Sequence, residues 1–556
     1  MKSHVIIPSA KKVPIELEVE LGAIPTALIP LGGKPVLKYL YDFYKKNKFK
    51  VLVSVQESKN EIIDYVESIN DLKFTVVQVQ DSSTLGNTIF ESLNKVGKEI
   101  ERLVINFADT LSDFNLVEND TIYFSKIDER YRWTTFKLDD EHNINQISER
   151  FNDGNSNTTY KIFTGIFIIT RIEKFRNILS EILKKKEESG IDPFYLAIKK
   201  YFNSTNRSDK SYIELEKWFD CGHLDTYYKT RRNFYKRERI FNSISIDESR
   251  GLLIKKSTNK SKLINEINWY RNLPNELAYL SPRIYDFSID KDDPFIKMEY
   301  YGYPVISDIY LFGSWNYGNW ECFFKDLHFI INEMKKINPN LKNDDILKAQ
   351  KSIYLEKTLK RLKEIKFSKE LFKPFNFPIK INDTECLSIP QTIDIIPDLI
   401  NATELFDKGS VSLIHGDLCF SNILYDQKNR IIRTIDPRGS FGELDIYGDI
   451  RYDYAKIQHS ILGDYDFFVN GLFQLKWLSQ KELLLKPNLK KKHNEIKKIY
   501  KKGFKSTDEF YYQIKLIEGL LFLSMVPLHN DKPKSQIAFL AKGILILSKL
   551  YNKILC

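Results

Sequence analysis

The stretch from Leu413 to Gly439, LIHGDLCFSNILYDQKNRIIRTIDPRG, constrains this chain more than any other. The apolar run Val411–Ile414 predicts a short buried strand that delivers His415-Gly416-Asp417 into a turn. Asn422 follows five residues after Asp417. A hairpin comes next, with strands Ile423–Tyr425 and Ile431–Ile435 around the polar turn Asp426-Gln427-Lys428-Asn429. Asp436 stands at the end of its second strand. Two loops thus bring a carboxylate, a carboxamide and a second carboxylate to one place.

Phosphoryl transfer needs such a set. One carboxylate has to accept or orient the proton of an acceptor hydroxyl, and oxygen ligands have to hold Mg²⁺ against nucleotide phosphates. Asp417, Asn422 and Asp436 supply these groups with a hairpin between them, so the spacing predicts a catalytic loop rather than an ordinary polar turn.

At 556 residues the chain is long enough for about two to four domains. Its 42% hydrophobic and 28% charged content is that of ordinary globular protein. Lys+Arg 84 against Asp+Glu 74 gives a formal charge of +10, spread along a lysine-, isoleucine- and asparagine-rich chain. Nucleic-acid binding wants clustered charge, so it is not expected. Cys221, Cys322, Cys386, Cys419 and Cys556 are scattered without a C-x-x-C pair, which suggests neither a disulfide framework nor a zinc site. The N-terminal apolar run is too short for a signal peptide, and no run reaches the roughly 18 residues that span a bilayer. Cys556 is the last residue and is no C-a-a-X lipidation site. A soluble, cytoplasmic protein without an integral membrane segment is expected.

In the first third, strand-like runs at Val5–Ile7, Lys50–Val55, Lys73–Val79 and Leu103–Phe107 alternate with helical patterns, one starting near Pro35. Such alternation predicts a parallel α/β sheet with a nucleotide site at the C-terminal ends of its strands, where Asp109 lies. Pro25-Thr26-Ala27-Leu28-Ile29-Pro30-Leu31-Gly32-Gly33-Lys34-Pro35-Val36 resembles the P-K-x-L-h-P-h-x-x-K-P-h signature of the sugar-phosphate nucleotidyltransferase family. Thr84-Leu85-Gly86-Asn87-Thr88 looks like its L-G-T-A segment near the base, Phe107-Ala108-Asp109-Thr110 like its G-D segment, and Trp218-Phe219-Asp220-Cys221-Gly222 like its W-x-D-x-G segment. The resemblance covers roughly residues 3–235. It implies a Rossmann-like, GT-A-type fold, with Asp109 and Asp220 as Mg²⁺ ligands and Gly86 beside the nucleotide. Two departures fall at the chemistry. The family's Gly-rich loop is here Pro8-Ser9-Ala10-Lys11-Lys12-Val13-Pro14, and the signature Lys after Pro25 is Thr26. Without glycine the backbone approaches phosphates less freely, although Lys11 or Lys12 could restore the charge.

Beyond residue 240, two strands around the turn Asp247–Gly251 carry Lys255 and Lys256 near the end of the second, and a helix bearing Glu266 follows. A strand Lys paired with a helix Glu can hold the Lys on ATP α/β-phosphates. Met298–Pro304 is the expected hinge between two lobes, where adenine stacks. Residues 313–400 and 453–556 read as mostly helical, and the aromatic cluster Phe312–Trp320 as core packing. Taken with Gly448-Asp449…Asp453-Tyr454-Ala455, the His415–Gly439 pattern resembles the aminoglycoside phosphotransferase and choline kinase family, a branch of the protein-kinase-like fold. The resemblance implies Asp417 as catalytic base, Asn422 and Asp436 as Mg²⁺ ligands, His415 as a support of the loop, and Asp449 as its brace from a helix N-terminus.

The expected organisation is therefore residues 1–235 as a nucleotidyltransferase-like domain, 236–312 as a kinase-like N-lobe of α+β character, and 313–556 as a helical C-lobe. The expected function is ATP- and Mg²⁺-dependent phosphorylation of a hydroxyl on a sugar or amino alcohol. Nucleotidyl transfer from CTP or another NTP onto the product would follow, for capsule or other surface polysaccharide. The alternative is a kinase whose N-terminal domain serves only binding or dimerisation. Small-molecule acceptor and nucleotides are the expected partners, and a homo-oligomer is compatible with either organisation.

Overall fold

The computed structural model describes residues 3–56, 59–69, 74–95, 100–126, 132–149, 161–185, 190–234, 242–368, 370–407, 411–504 and 510–555. The chain divides into two compact units, Met1–Tyr235 with Phe312–Ser314, and Lys236–Leu311 with Trp315–Cys556. The boundary expected after residue 235 falls in 235–241, outside the described residues.

In the first unit, the strands Arg102–Asn106, Ser3–Pro8, Lys50–Val55 and Phe74–Gln78 lie side by side and parallel, with Val5 paired to both Val51 and Val104. Helices Val36–Lys46, Lys59–Ile69 and Leu85–Lys95 intervene in sequence. Val5, Ile6 and Ile7 are all buried, as a strand covered on both faces requires. The long strand Lys161–Ile169 extends the sheet antiparallel to Arg102–Asn106, so the sheet is mixed rather than wholly parallel. Helices Ile172–Lys185 and Pro193–Asn203 help close one face with Phe175, Leu179, Phe194 and Ile198. At Gly165 (φ +87°) the long strand bulges, and a Cβ there would meet the Phe107 ring at 2.6 Å. Phe107 N–H donates to Gly165 O (2.9 Å) just beyond the Arg102–Asn106 strand, two residues before Asp109. The short strand Trp218–Asp220 then pairs with Thr110–Ser112, Asp220 opposite Thr110.

The second unit begins with a four-stranded antiparallel sheet in the order Asn242–Asp247, Leu252–Ser257, Phe295–Glu299, Ile284–Ser288. The helix Lys260–Asn272 follows its second strand, capped by the Asn259 side chain on Lys262 N–H. Val411–Leu413 forms the expected short strand, paired with Tyr447–Asp449, and Ile423–Asp426 pairs with Ile431–Thr434 as the expected hairpin. The rest is mainly helical, and Tyr511–Met525 packs along Pro533–Ile554. Trp315 and Trp320 are buried, their ring centroids 5.4 Å apart, as core packing requires, whereas Tyr317 of the same cluster is exposed. One element departs from the expected helical pattern: Phe473–Ser479, Glu482–Pro487, Ile379–Ile381 and Thr384–Cys386 form a second four-stranded sheet. No helix among the described residues is long and apolar enough to cross a membrane.

Candidate active sites

In the first unit the strand pairing brings Asp109 and Asp220 side by side, with Cys221 N–H donating to Asp109 O (2.8 Å). A Cβ on Gly222 would lie 2.7 Å from Asp109 Oδ2 and 3.5 Å from Asp220 Oδ1, so glycine keeps the space between the carboxylates clear. Burial, and then the Asp220 charge, push the Asp109 carboxyl up to about 7. Asp220 is engaged by the Thr226 hydroxyl and lies 3.2 Å from His223 Nδ1, an interaction that raises the histidine pKa. Two adjacent carboxylates with this mutual repulsion suit a divalent cation. Among the described residues no cluster of three or more His, Cys, Asp or Glu side chains forms a ligand set.

The loop after the first strand is tied down by other bonds. Ser9 N–H donates to Ser54 O (2.9 Å), Val13 N–H to Ile24 O (2.9 Å), and Thr26 Oγ1 to Lys11 O (3.1 Å). Thr26 thus spends its hydroxyl on the loop, while the Lys11 and Lys12 side chains are exposed. Gly86 is held by contacts within the protein. Its N–H and that of Leu85 donate to the Asp192 carboxylate (3.0 and 2.7 Å), which also caps the Pro193–Asn203 helix. A Cβ on Gly86 would meet Pro193 Cβ at 2.8 Å. Glycine serves the close approach of two helix starts here, and its amide is already committed.

In the second unit, Lys255 and Lys256 separate by the alternation of the strand. Lys255 points inward, its side chain 4% exposed, while Lys256 is exposed and pairs with Asp293. Lys255 Nζ donates to both Glu266 oxygens (2.8 and 2.7 Å) and to Asp436 Oδ1 (2.9 Å). Burial works against the ammonium, but the Asp436 and Glu266 charges outweigh it and hold Lys255 above the ordinary lysine range. One cleft is lined by Lys255, Ser257, Lys262, Leu263, Glu266, Asp417 and Asp436. Asp436 has left-handed backbone (φ +58°), a strained conformation for an aspartate, and its N–H donates to Tyr270 OH (3.2 Å). Its carboxylate is 35% exposed.

Asn422 Nδ2 donates to Asp417 O (2.8 Å), and Ile435 N–H donates to the Asn422 main-chain O (3.0 Å), so the carboxamide ties Asn422 to the loop while its backbone joins the hairpin. His415 is buried against Trp269, ring centroids 5.6 Å apart, and burial pushes it down to about 4, so it is neutral. Its Nδ1 accepts from Asp417 N–H (3.3 Å), as a loop support would. Met298 is buried in the sheet opposite Leu253, and the segment after it carries the stacked Tyr301–Tyr303 pair. Val305 then bridges to Leu424 of the hairpin.

The expected brace is wrong by one helical turn. Asp453, not Asp449, accepts His415 N–H (2.7 Å) and Gly416 N–H (2.8 Å). Asp449 instead caps the helix Ile450–Ile461 and is held by Arg451, Tyr354 and Gln350. A carboxylate so fully committed to its own buried network cannot also reach the loop. Lys456 escaped the sequence reading altogether: its Nζ lies 2.8 Å from Asp417 Oδ1. It follows Asp453 by three positions, so both occupy one face of that helix, and this spacing was the available signal.

No family model matches the chain. Among curated proteins, residues of this chain are 27% identical over 206 residues to the "Bifunctional protein GlmU" of Methanococcus vannielii, covering 36% of this chain and 47% of that protein. The protein of the same name from Methanococcus aeolicus is 26% identical over 192 residues, 33% and 43% of the two chains. The chain thus spans less than half the length of these curated relatives. The N-terminal region resembles the sugar-phosphate nucleotidyltransferases. Solved structures similar to part of the chain include the CTP:phosphocholine cytidylyltransferase LicC from Streptococcus pneumoniae, at 14% identity and TM-score 0.33, covering 42% of this chain and 98% of that one. The inositol-1-phosphate CTP transferase from T. maritima has 16% identity and TM-score 0.32, covering 43% and 97%.

Proposed function

We propose that the second unit is a small-molecule kinase with a protein-kinase-like fold, and that the first unit is a nucleotidyltransferase acting on its phosphorylated product. The observation that carries the kinase reading is the Lys255–Glu266–Asp436 set, which shares one cleft with Asp417. Glu266 fixes the Lys255 ammonium, which neutralises charge on the α/β-phosphates of ATP. Asp417 takes the proton of the acceptor hydroxyl as its oxygen attacks the γ-phosphorus, the bond to the β-phosphate oxygen breaks, and ADP leaves. Asp436 and Asn422 are the residues that would hold Mg²⁺, which spreads the charge of the transferring phosphoryl group. Asp453 and neutral His415 keep Asp417 in place.

In the first unit, the sequence relatives and the Asp109–Asp220 pair support nucleotidyl transfer from CTP or another NTP. The phosphate oxygen of the first product attacks the α-phosphorus, and pyrophosphate leaves. The glycine-free loop after the first strand and the committed amides of Leu85 and Gly86 favour a second reading, in which this unit binds without catalysing. Incubation of the full chain with ATP, CTP, Mg²⁺ and panels of sugars, amino alcohols, hydroxy acids and sugar phosphates separates them. Both ADP and pyrophosphate are expected, and pyrophosphate alone is expected to vanish in Asp109→Ala. ADP without pyrophosphate from the wild type would establish the binding-only reading.

A further inference from the structure

The cleft that holds Lys255 accounts for one side of Asp417. On another side, Lys456 and Lys357 face the same carboxylate with Arg438 and Arg361 beside them, and none of the four lines that cleft. Lys456 Nζ pairs with Asp417 Oδ1 (2.8 Å). Arg438 lies against Gly416, where a Cβ would meet Arg438 Cβ at 2.8 Å, and its Nη1 donates to Tyr452 OH (2.8 Å). Arg438 and Lys456 both lie over the Tyr452 ring, at 5.6 and 5.8 Å from its centroid. Lys357 and Arg361 approach from one face of the helix Lys357–Ser368, four positions apart, Arg361 bonding the Ser524 carbonyl. Asp417 faces Lys357, and Glu364 faces Arg361, as the opposing carboxylates. Lys357 has no hydrogen-bonded carboxylate among the described residues. Burial, and then Arg438, Arg361 and Lys456, push its ammonium well below the ordinary lysine range.

A chain gains no stability by gathering half-buried cations that outnumber their carboxylates, because those in excess are taken from water without a counter-charge of their own. Such an arrangement is relieved when an anion enters. Arginine and lysine side by side also offer what a carboxylate or phosphate accepts: a planar fork and a point charge. The nucleotide phosphates have Lys255 on the other side, so the anion expected here belongs to the acceptor.

We propose that Lys357, Arg361, Arg438 and Lys456 form the acceptor subsite, and that the acceptor is a hydroxyl compound carrying its own carboxylate or phosphate, not an amino alcohol. The proposal rests on the kinase reading for the word acceptor, but the anion site itself does not. The anionic group docks on Lys357 and Arg438 and leaves the hydroxyl within reach of Asp417.

Calorimetry on the full chain saturated with a non-hydrolysable ATP analogue and Mg²⁺ tests the site without turnover. The probes are glycerate and inorganic phosphate, with glycerol and ethanolamine as uncharged and cationic comparisons. Saturable binding of glycerate or phosphate is expected, weakened tenfold or more in Lys357→Gln and in Arg438→Gln. Ligand-free Lys357→Gln is expected to melt above the wild type, since repulsion is relieved, whereas a merely structural lysine would lower the melting temperature. Binding of glycerate marks a carboxylate acceptor, and binding of phosphate alone a phosphorylated one. Absence of both, affinities equal in wild type and variants, or tighter binding of ethanolamine overturns the proposal. Anion binding that Lys357→Gln abolishes, beside ADP release that Asp417→Ala leaves untouched, would sustain the site and remove only the kinase reading.

Discussion

Asp109 and Asp220 sit close enough that the fold bears their repulsion whenever no cation lies between them, and burial first, then this repulsion, push the Asp109 carboxyl up to about 7. Its folded pKa is raised above the unfolded value near 3.9, so the ionised form costs stability that is absent at low pH and fully felt above pH 7. Asp109→Asn is therefore expected to stabilise the metal-free protein at pH 8 by about 1–3 kcal/mol, measured by thermal melting, while Mg²⁺ binding is lost. Metal binding to the wild type must displace the Asp109 proton, so affinity should fall about tenfold per pH unit below 7, read by calorimetry in buffers of different ionisation heat. Asp453 is a second buried carboxyl pushed up to about 7, but there the charge is held by two backbone N–H groups. Asp453→Ala leaves both donors unmet and is expected to cost about 2–4 kcal/mol in denaturant melts. At this scale the sequence was partly legible. The types and spacing of Asp417, Asn422 and Asp436 stood out, but a strand's alternation alone does not say whether Lys255 or Lys256 faces inward. Asp449 and Asp453 both suit a helix start, and only the packed helix tells which one meets the loop.

The Lys260–Asn272 helix and the Asp436–Gly439 turn are locked together by a contact that only glycine permits. Gly439 has φ +68°, and a Cβ there would lie 2.0 Å from Asn265 O and 2.9 Å from Glu266 N. Since Glu266 and Asp436 both hold Lys255, any residue larger than glycine pushes apart the two elements that set the lysine. Gly439→Ala should therefore destabilise the protein by about 2–4 kcal/mol in chemical denaturation and lower ADP release while the rest of the helix survives. The hairpin and the strand before His415 were readable because apolar runs, a polar turn and short lengths all agreed there. The sheet formed by Phe473–Pro487 with Ile379–Cys386 was not readable. Its strands are short, its partners lie about a hundred residues apart in sequence, and the lysine-rich surroundings look helical. The mixed character of the first unit's sheet was hidden for a related reason: the Lys161–Ile169 run is apolar enough for either direction, and only its pairing with Arg102–Asn106 makes it antiparallel.

For the whole molecule, two units with separate candidate sites imply separable activities. Asp109→Ala should leave ADP release within about twofold of wild type, since additivity holds for independent sites that share no partners, and Asp417→Ala should leave pyrophosphate release intact when a phosphorylated acceptor is supplied. The alternation of strands and helices in the first third and the loop chemistry near residue 417 made the division into two functional parts visible from sequence. What the sequence withheld is the acceptor, because the cations near Asp417 come from residues 357, 361, 438 and 456 and meet only in the folded chain. The most direct test of the account is acceptor-dependent ADP release by the full chain with ATP and Mg²⁺, compared with Asp417→Ala. Release that rises with acceptor in the wild type and falls by about 10²–10⁴-fold in the variant is the predicted result; equal rates in the two proteins across every acceptor would contradict it.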